Sequence, residues 1–102
     1  MIDIQKKTEK IIKKFQEIEK NPWGPEAIVL DLVEEVGELA NAVLVREKYK
    51  SIKRKKSELK DSIADILYAL VRLANYYNIN IKDEYMKMLK KLEERLEKGE
   101  FT

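Results

Sequence analysis

Apolar residues recur at helical spacing along most of this chain. In the first twenty residues they fall mainly three or seven positions apart, which is the pattern of an amphipathic helix. We therefore predict a first helix from about Ile4 to Glu19. Its apolar stripe comprises Ile4, Ile11, Ile12, Phe15 and Ile18. The segment NPWGP, Asn21 to Pro25, ends this helix, because two prolines and a glycine cannot continue it.

Two longer helices follow. The second is predicted from Pro25, a favourable first helical residue, to about Tyr49, and the third from about Ser57 to Tyr77. Placed at steps of about 100° per residue, the second helix has one broad apolar face made of Ile28, Leu32, Val33, Val36, Leu39, Ala40 and Val43. The third is expected to bury Leu59, Ile63, Ile66, Leu67, Leu70, Val71 and Ala74.

A fourth helix ends the chain. Asn78 and Asn80 mark a turn, either Asn80 or Asp83 is the expected N-cap, and Gly99 marks the end. Its apolar residues are sparse, so we expect it on the outside or against a partner subunit. Four helices with short joints predict an all-α fold, an antiparallel four-helix bundle in a single domain over residues 1–102, assembled as an oligomer.

Composition agrees with this fold class and narrows the chemistry. The 102 residues include only three glycines and two prolines, too few for the many turns of an all-β protein. The net charge is only +2, so there is no global attraction to nucleic acid or membrane. Cysteine and histidine are both absent. Thiolate and imidazole chemistry is thereby excluded, and a bound metal would be a hard cation held by oxygen, such as Mg²⁺ or Mn²⁺.

Membrane insertion and secretion are not indicated. No apolar run approaches the roughly 20 residues of a membrane span, and the N-terminal segment MIDIQKKTEK lacks the apolar core of a signal peptide. We expect a cytoplasmic protein.

Two groups of carboxylates carry the candidate chemistry. Glu35 with Glu38, and Asp61 with Asp65, lie three or four positions apart, so each pair can direct its oxygens to one point on a helix. Like charges held together repel, and a cation between them relieves the repulsion. Glutamate is also a common filler of exposed helix faces, and pairing of Arg72 with Asp65 or Asp61 is the main alternative to a metal site.

The same residues carry a resemblance to a known family. The segments EEVGELANAV and DSIADILYALVRLAN resemble the two motifs of the MazG-type all-α nucleotide pyrophosphohydrolases, and NPWGPEAIVLDL is similar to the tryptophan-containing stretch before the first motif. The resemblance covers about Asn21 to Asn80. It implies hydrolysis of a (deoxy)nucleoside triphosphate between the α and β phosphates, Mg²⁺ as the cofactor, with Mn²⁺ as a substitute, and assembly as a homodimer or homotetramer.

The resemblance also implies residue roles. Glu35 and Glu38 match the metal-binding glutamates of the first motif, and Asp65 matches the aspartate that closes the second. Glu34 is the remaining motif glutamate, a candidate to orient or deprotonate the attacking water. The family's second-motif glutamate falls at Ser62, which cannot replace a carboxylate.

Two explanations of this departure stay open. Asp61 is adjacent to Ser62 and is a candidate fourth metal ligand; otherwise the site has three protein ligands and additional water. Taking Glu58-x-x-Asp61 as the motif would keep the pattern, but it would put the aspartate one turn too early, so we prefer Asp65.

Four further residues are candidates for substrate binding. Lys91 and Arg95 lie four apart on the fourth helix, where the family often places phosphate-binding basic residues. Tyr68, three residues after Asp65, and Trp23 are candidates to stack on a base or sugar. Solvated surface charge for the first two, and core packing or loop anchoring for the aromatic residues, are the structural alternatives.

A different class of function is suggested by the basic connection. Residues 46–60 hold eight lysines or arginines against two acids, which would suit a non-enzymatic helical protein that binds nucleic-acid phosphates or another partner. Tyr49 is the one aromatic residue in this segment, and no recognisable nucleic-acid-binding motif accompanies it. Nucleic acid is therefore the less favoured partner.

Overall fold

The computed structural model describes residues 3–102, and all regular structure in that range is helical. The four helices are α1 (Ile4–Ile18), α2 (Pro25–Arg46), α3 (Leu59–Tyr76) and α4 (Ile81–Glu97). A short 3-10 turn, Ile52–Arg54, lies in the connection between α2 and α3. The all-α prediction is confirmed.

Local sequence signals explain where the helices begin and end. Asn80 caps α4, because its side chain accepts a hydrogen bond from the backbone N–H of Asp83, and this selects Asn80 over Asp83 as the cap. Gly99, with φ of 73°, follows the end of α4. Helix α2 ends at Arg46, three residues before the predicted Tyr49. The chain leaves the helix at Lys48, whose φ of 66° is left-handed.

The main packing is between α2 and α3, with α1 against α3. The residues at the end of α2 line the same cavity as the first residues of α3, whereas Glu35 and Glu38, earlier in α2, meet Asp65, later in α3. The two helices therefore run antiparallel. The buried apolar core is small and consists of Ile12, Ile28, Ala42, Val45, Ala69, Val71 and Ala74.

The fourth helix contributes no buried residue to this core. No residue of α4 is buried, and α4 does not pack along α2 or α3. The radius of gyration is 17.1 Å, against about 13 Å for a compact domain of this length. The start of α4 is fixed by Gln5, whose side chain donates a hydrogen bond to the Ile79 carbonyl and accepts one from the Ile81 N–H. The peripheral position predicted for this helix is confirmed.

The predicted burial of several apolar residues is wrong for a single copy of the chain. Ile63, Leu67 and Leu70 of α3 are exposed, as are Val33 and Val36 of α2. The reason is geometric: each helix has an apolar face wider than the contact that α2 and α3 make with each other, and within residues 3–102 helix α1 covers only part of α3. Within residues 3–102, no helix is long and apolar enough to cross a membrane.

Candidate metal centre

Three carboxylates from α2 and α3 converge on one point. Glu35, Glu38 and Asp65 each place an oxygen within 4.8 Å of the oxygens of the other two. Glu35 and Glu38 lie one turn apart on α2, and the antiparallel partner α3 brings Asp65 opposite them. This is the grouping that helical spacing and the family motif predicted. Such a cluster of oxygens suits a hard divalent cation.

The electrostatics of Glu35 indicate that the group needs a counter-charge. Partial burial raises the pKa of Glu35, and the negative charges of Glu38, Asp65 and Asp31 raise it further. The Oε2 atom of Glu35 is buried without a hydrogen-bond partner. A buried, unpaired carboxylate oxygen is costly, and a cation between the three carboxylates would satisfy it. The residues present therefore fit a metal.

The centre is open on one side. Glu38 and Asp65 are both exposed. Gly37, between the two glutamates, is exposed as well, and a Cβ built there would meet no atom within 4 Å. A ligand can therefore approach the carboxylates from solvent.

The structure does not bring the other motif residues into this group. Asp61 and Glu34 are exposed and lie outside the three-carboxylate cluster, so their roles stay predictions. Ser62, where the family has a glutamate, is fully buried, and its hydroxyl lies 2.8 Å from the hydroxyl of Ser57. Ser62 therefore joins the start of α3 to the preceding connection rather than contributing to the centre.

Arg72 has a partner that the sequence did not suggest. Its guanidinium pairs with Glu19 at 3.4 Å and lies over the Trp23 ring, 4.6 Å from the ring centroid. The alternative in which Arg72 neutralises Asp65 or Asp61 is therefore wrong. Glu19 follows the last turn of α1. It lies 53 residues before Arg72, so no local sequence pattern could predict the contact. The carboxylates of the centre are left without this arginine.

The four substrate-binding candidates lie in different surroundings. Trp23 has the Arg72 guanidinium over its ring, which supports its structural alternative as a loop anchor. Tyr68 lines an apolar cavity of about 500 Å³ between α1 and α3, one turn after Asp65. Arg95 pairs with Glu100 and stacks on Phe101, and it lies, like Lys91, on the peripheral helix α4. Of these four candidates, Tyr68 is the nearest in sequence to a carboxylate of the centre, three residues after Asp65.

The fold and the site define this protein as an all-α protein with a candidate carboxylate site for a hard divalent cation. The particular family is shown by sequence: the MazG nucleotide pyrophosphohydrolase domain family matches residues 24–99. The chain belongs to this family. MazG-type pyrophosphatases generally depend on a divalent metal, which agrees with the acidic cluster found here.

One relative has both a similar sequence and a solved structure. The YpjD protein of Bacillus subtilis (strain 168) is 33% identical over 97 residues, which are 93% of this chain and 85% of YpjD. A crystal structure of YpjD, which is provisionally described as a pyrophosphatase, superposes with a TM-score of 0.72. At 31% identity, the match covers 88% of each chain. The two chains share the same helical fold.

The unpaired charge at Glu35 predicts an effect on stability. In metal-free protein at neutral pH, Glu35→Gln should raise the free energy of unfolding by about 1 kcal/mol, the scale of relieving one unsatisfied buried polar group. The sign follows from the raised pKa, because the fold disfavours the charged form that exists at neutral pH. Urea denaturation measures the change. Glu34→Gln is the matched control, because Glu34 is exposed and outside the cluster, and an equal gain there would contradict the prediction.

Proposed function

We propose that this protein is a Mg²⁺-dependent nucleoside triphosphate pyrophosphohydrolase. It would convert a (deoxy)nucleoside triphosphate and water into the monophosphate and pyrophosphate by cleaving the bond between the α and β phosphates. The observation that carries the proposal is the convergence of Glu35, Glu38 and Asp65 in a chain of the MazG family. Mn²⁺ is an alternative cofactor, because it accepts similar oxygen ligands.

The choice of Mg²⁺ rests on the donors available. All three side chains offer carboxylate oxygen, and the chain has no cysteine or histidine to bind a softer metal. Asp61 lies outside the group, so three protein ligands with additional water is the arrangement that we propose. Mg²⁺ commonly keeps several waters and uses substrate phosphates as further ligands.

The chemistry needs a charged substrate to be held and neutralised. When bound, the divalent cation would neutralise phosphate oxygens and make pyrophosphate a better leaving group. Glu35, partly buried and fixed on α2, would orient the cation. The exposed Glu38 and Asp65 would leave a side open to the triphosphate. Glu34 is retained as the candidate that orients or deprotonates water, a role that rests on the family motif alone.

Substrate contacts would come from α3, from the connection between α1 and α2, and from a second copy of the chain. Tyr68 opens onto the cavity beside α1, so we propose that it contacts the base or sugar. Trp23 is 42% exposed, so we propose it as a second contact for the base or sugar. Lys91 and Arg95 lie on α4, which projects from the α2–α3 pair, so we propose that they reach the phosphates in the site of another subunit.

A homo-oligomer is proposed from two uncovered apolar stripes. On α2 the stripe is Val29, Val33, Val36, Ala40 and Val43, and on α3 it is Ile63, Leu67 and Leu70; all eight are exposed. In each helix the stripe lies about 100° from the positions that face the other helix, in the same rotational sense. Because the helices are antiparallel, both stripes fall on one side of the pair. Two such pairs can pack these faces together as a four-helix bundle, giving a homodimer or, by a further contact, a homotetramer.

The enzymatic proposal is tested with a panel of nucleotides. The protein is incubated with each common ribo- and deoxyribonucleoside triphosphate and Mg²⁺, and in parallel with Mn²⁺, and the products are separated by ion-exchange chromatography. We expect the monophosphate and pyrophosphate in equal amounts for at least one nucleotide. Diphosphate with inorganic phosphate would contradict the bond assignment, and no product with any nucleotide in either metal would contradict the function.

A further inference from the structure

A basic cavity lies beyond the carboxylate centre, where α2 ends and α3 begins. We propose that this cavity is a separate, metal-independent binding site for a small, multiply charged phosphate anion, with inorganic pyrophosphate as the probe. The carboxylate cluster needs a cation before it can hold a phosphate, whereas this cavity carries the positive charge itself. The inference therefore does not depend on the enzymatic activity proposed above.

The charge balance of the cavity favours an anion. Its volume is about 490 Å³, and its lining includes four basic side chains, Arg46, Lys48, Lys50 and Lys55, against one acid, Glu58. The lining thus has a net charge of +3 at neutral pH. Four cations around one concavity repel one another, and a polyvalent anion between them would relieve that repulsion.

The fold holds one of these cations, Lys50, and orders the chain around it. The Lys50 ammonium donates to the Asn41 side-chain oxygen at 2.9 Å, and the Asn41 amide donates to the backbone carbonyl of Arg54 at 3.1 Å. Lys48 occupies a left-handed conformation, φ 66°, which turns the chain directly after α2. These contacts order the connection before a ligand binds, which lowers the entropy cost of binding.

The single acid is already neutralised. Glu58 forms an ion pair with Lys55, and the hydrogen bond and positive charge of Lys55 lower the pKa of Glu58. Arg46, Lys48 and Lys50 are then the cations that remain for a ligand. The first turn of α3 also begins at this cavity, and the Glu58 side chain does not cap it, so its backbone N–H groups add to the positive potential.

A small anion fits these observations better than nucleic acid. The positive charges surround a concavity instead of forming a flat face or an extended groove. Among the described residues, none that lines the cavity is aromatic, so the lining offers no ring for base stacking. Leu59, in the lining, lies six residues before Asp65, which is about 9 Å along the helix at about 1.5 Å per residue. The cavity and the carboxylate centre are therefore neighbouring but separate sites.

The test is isothermal titration of metal-stripped protein with inorganic pyrophosphate in metal-free buffer at low salt. We expect saturable binding that weakens as salt is added. The double variant Arg46→Gln, Lys48→Gln should weaken binding about tenfold or more, since two charge-assisted contacts are lost. The matched control is Lys13→Gln, Lys14→Gln on the exposed face of α1, which removes the same net charge from another part of the surface. It should change the affinity less than twofold.

A variant with the opposite sign tests the assignment independently. Glu58→Gln removes the acid and frees Lys55, so it should bind pyrophosphate several-fold more tightly. Glu38→Gln should leave pyrophosphate binding unchanged, which separates this site from the carboxylate centre. The proposal is overturned if wild-type protein does not bind pyrophosphate, if the control pair weakens binding as much as the test pair, or if a single-stranded oligonucleotide binds more tightly than pyrophosphate.

Discussion

Replacing Glu38 with glutamine should reduce pyrophosphate release from nucleoside triphosphates by about 100-fold or more. Glu38 supplies one of three converging carboxylate oxygens, and the amide that replaces it has no negative charge to hold a cation. A metal ion contributes several kcal/mol of charge stabilisation to phosphoryl transfer, and each 1.4 kcal/mol corresponds to a factor of ten in rate. The loss should appear in kcat at saturating nucleotide, measured with Mg²⁺ and with Mn²⁺.

Two controls make this result specific. Glu17→Gln on α1 is the same chemical change at an exposed position outside the cluster, and it should retain wild-type turnover. Circular dichroism of Glu38→Gln should match that of wild type, because Glu38 is exposed and is not part of the buried core. Divalent cations should raise the melting temperature of wild type but not of the variant. Unchanged turnover in Glu38→Gln would remove Glu38 from the centre.

The carboxylate cluster was predictable because helical spacing is a local property. Glu35 and Glu38 lie three positions apart, so their shared face follows from the helix alone. Asp65 required one further step, the antiparallel packing of α2 on α3, which the family motif supplied. The four helices were predictable for the same local reason, since their apolar residues repeat with the helical period.

Contacts between distant segments were not predictable in this way. Arg72 pairs with Glu19 and stacks on Trp23, and both partners lie about 50 positions before it in the sequence. No local pattern encodes such contacts. The basic connection was visible in the sequence as a run of charge. Its closure into a cavity depends on the bonds from Lys50 to Asn41 and from Asn41 to Arg54.

Periodicity also leaves open what covers an apolar face. The pattern on α3 correctly groups Ile63, Leu67 and Leu70, but it cannot show whether a helix of the same chain or of another copy lies against them. The structure answers half of this question, because α4 does not pack along α3 and these residues remain exposed. The proposed occupant of the face is a second copy, and this leads to the second large effect.

Introducing a charge into the α2 stripe should break the oligomer. In Val33→Glu, assembly would bury a carboxylate among the apolar residues of two helix pairs, at a cost of several kcal/mol. A penalty of that size lowers an association constant by at least about a hundredfold. Light scattering coupled to size exclusion should show wild type at a multiple of the 12.1 kDa chain mass and Val33→Glu at or near that mass. The melting temperature should also fall, because the uncovered stripes add to the exposed apolar surface.

The matched control lies on another helix. Ile18, the last residue of α1, is 78% exposed and Val33 is 63% exposed, but Ile18 belongs to neither stripe. Ile18→Glu should therefore keep the wild-type mass, since its carboxylate stays in solvent whether or not the stripes are paired. Equal dissociation of both variants would mean that the interface is not the proposed face, and a wild-type chain that elutes as a monomer at micromolar concentration would contradict the oligomer itself. Val33→Glu changes a residue of the stripe and removes no residue from the carboxylate centre. If this variant is monomeric and also inactive, the result supports a site completed by Lys91 and Arg95 of another subunit.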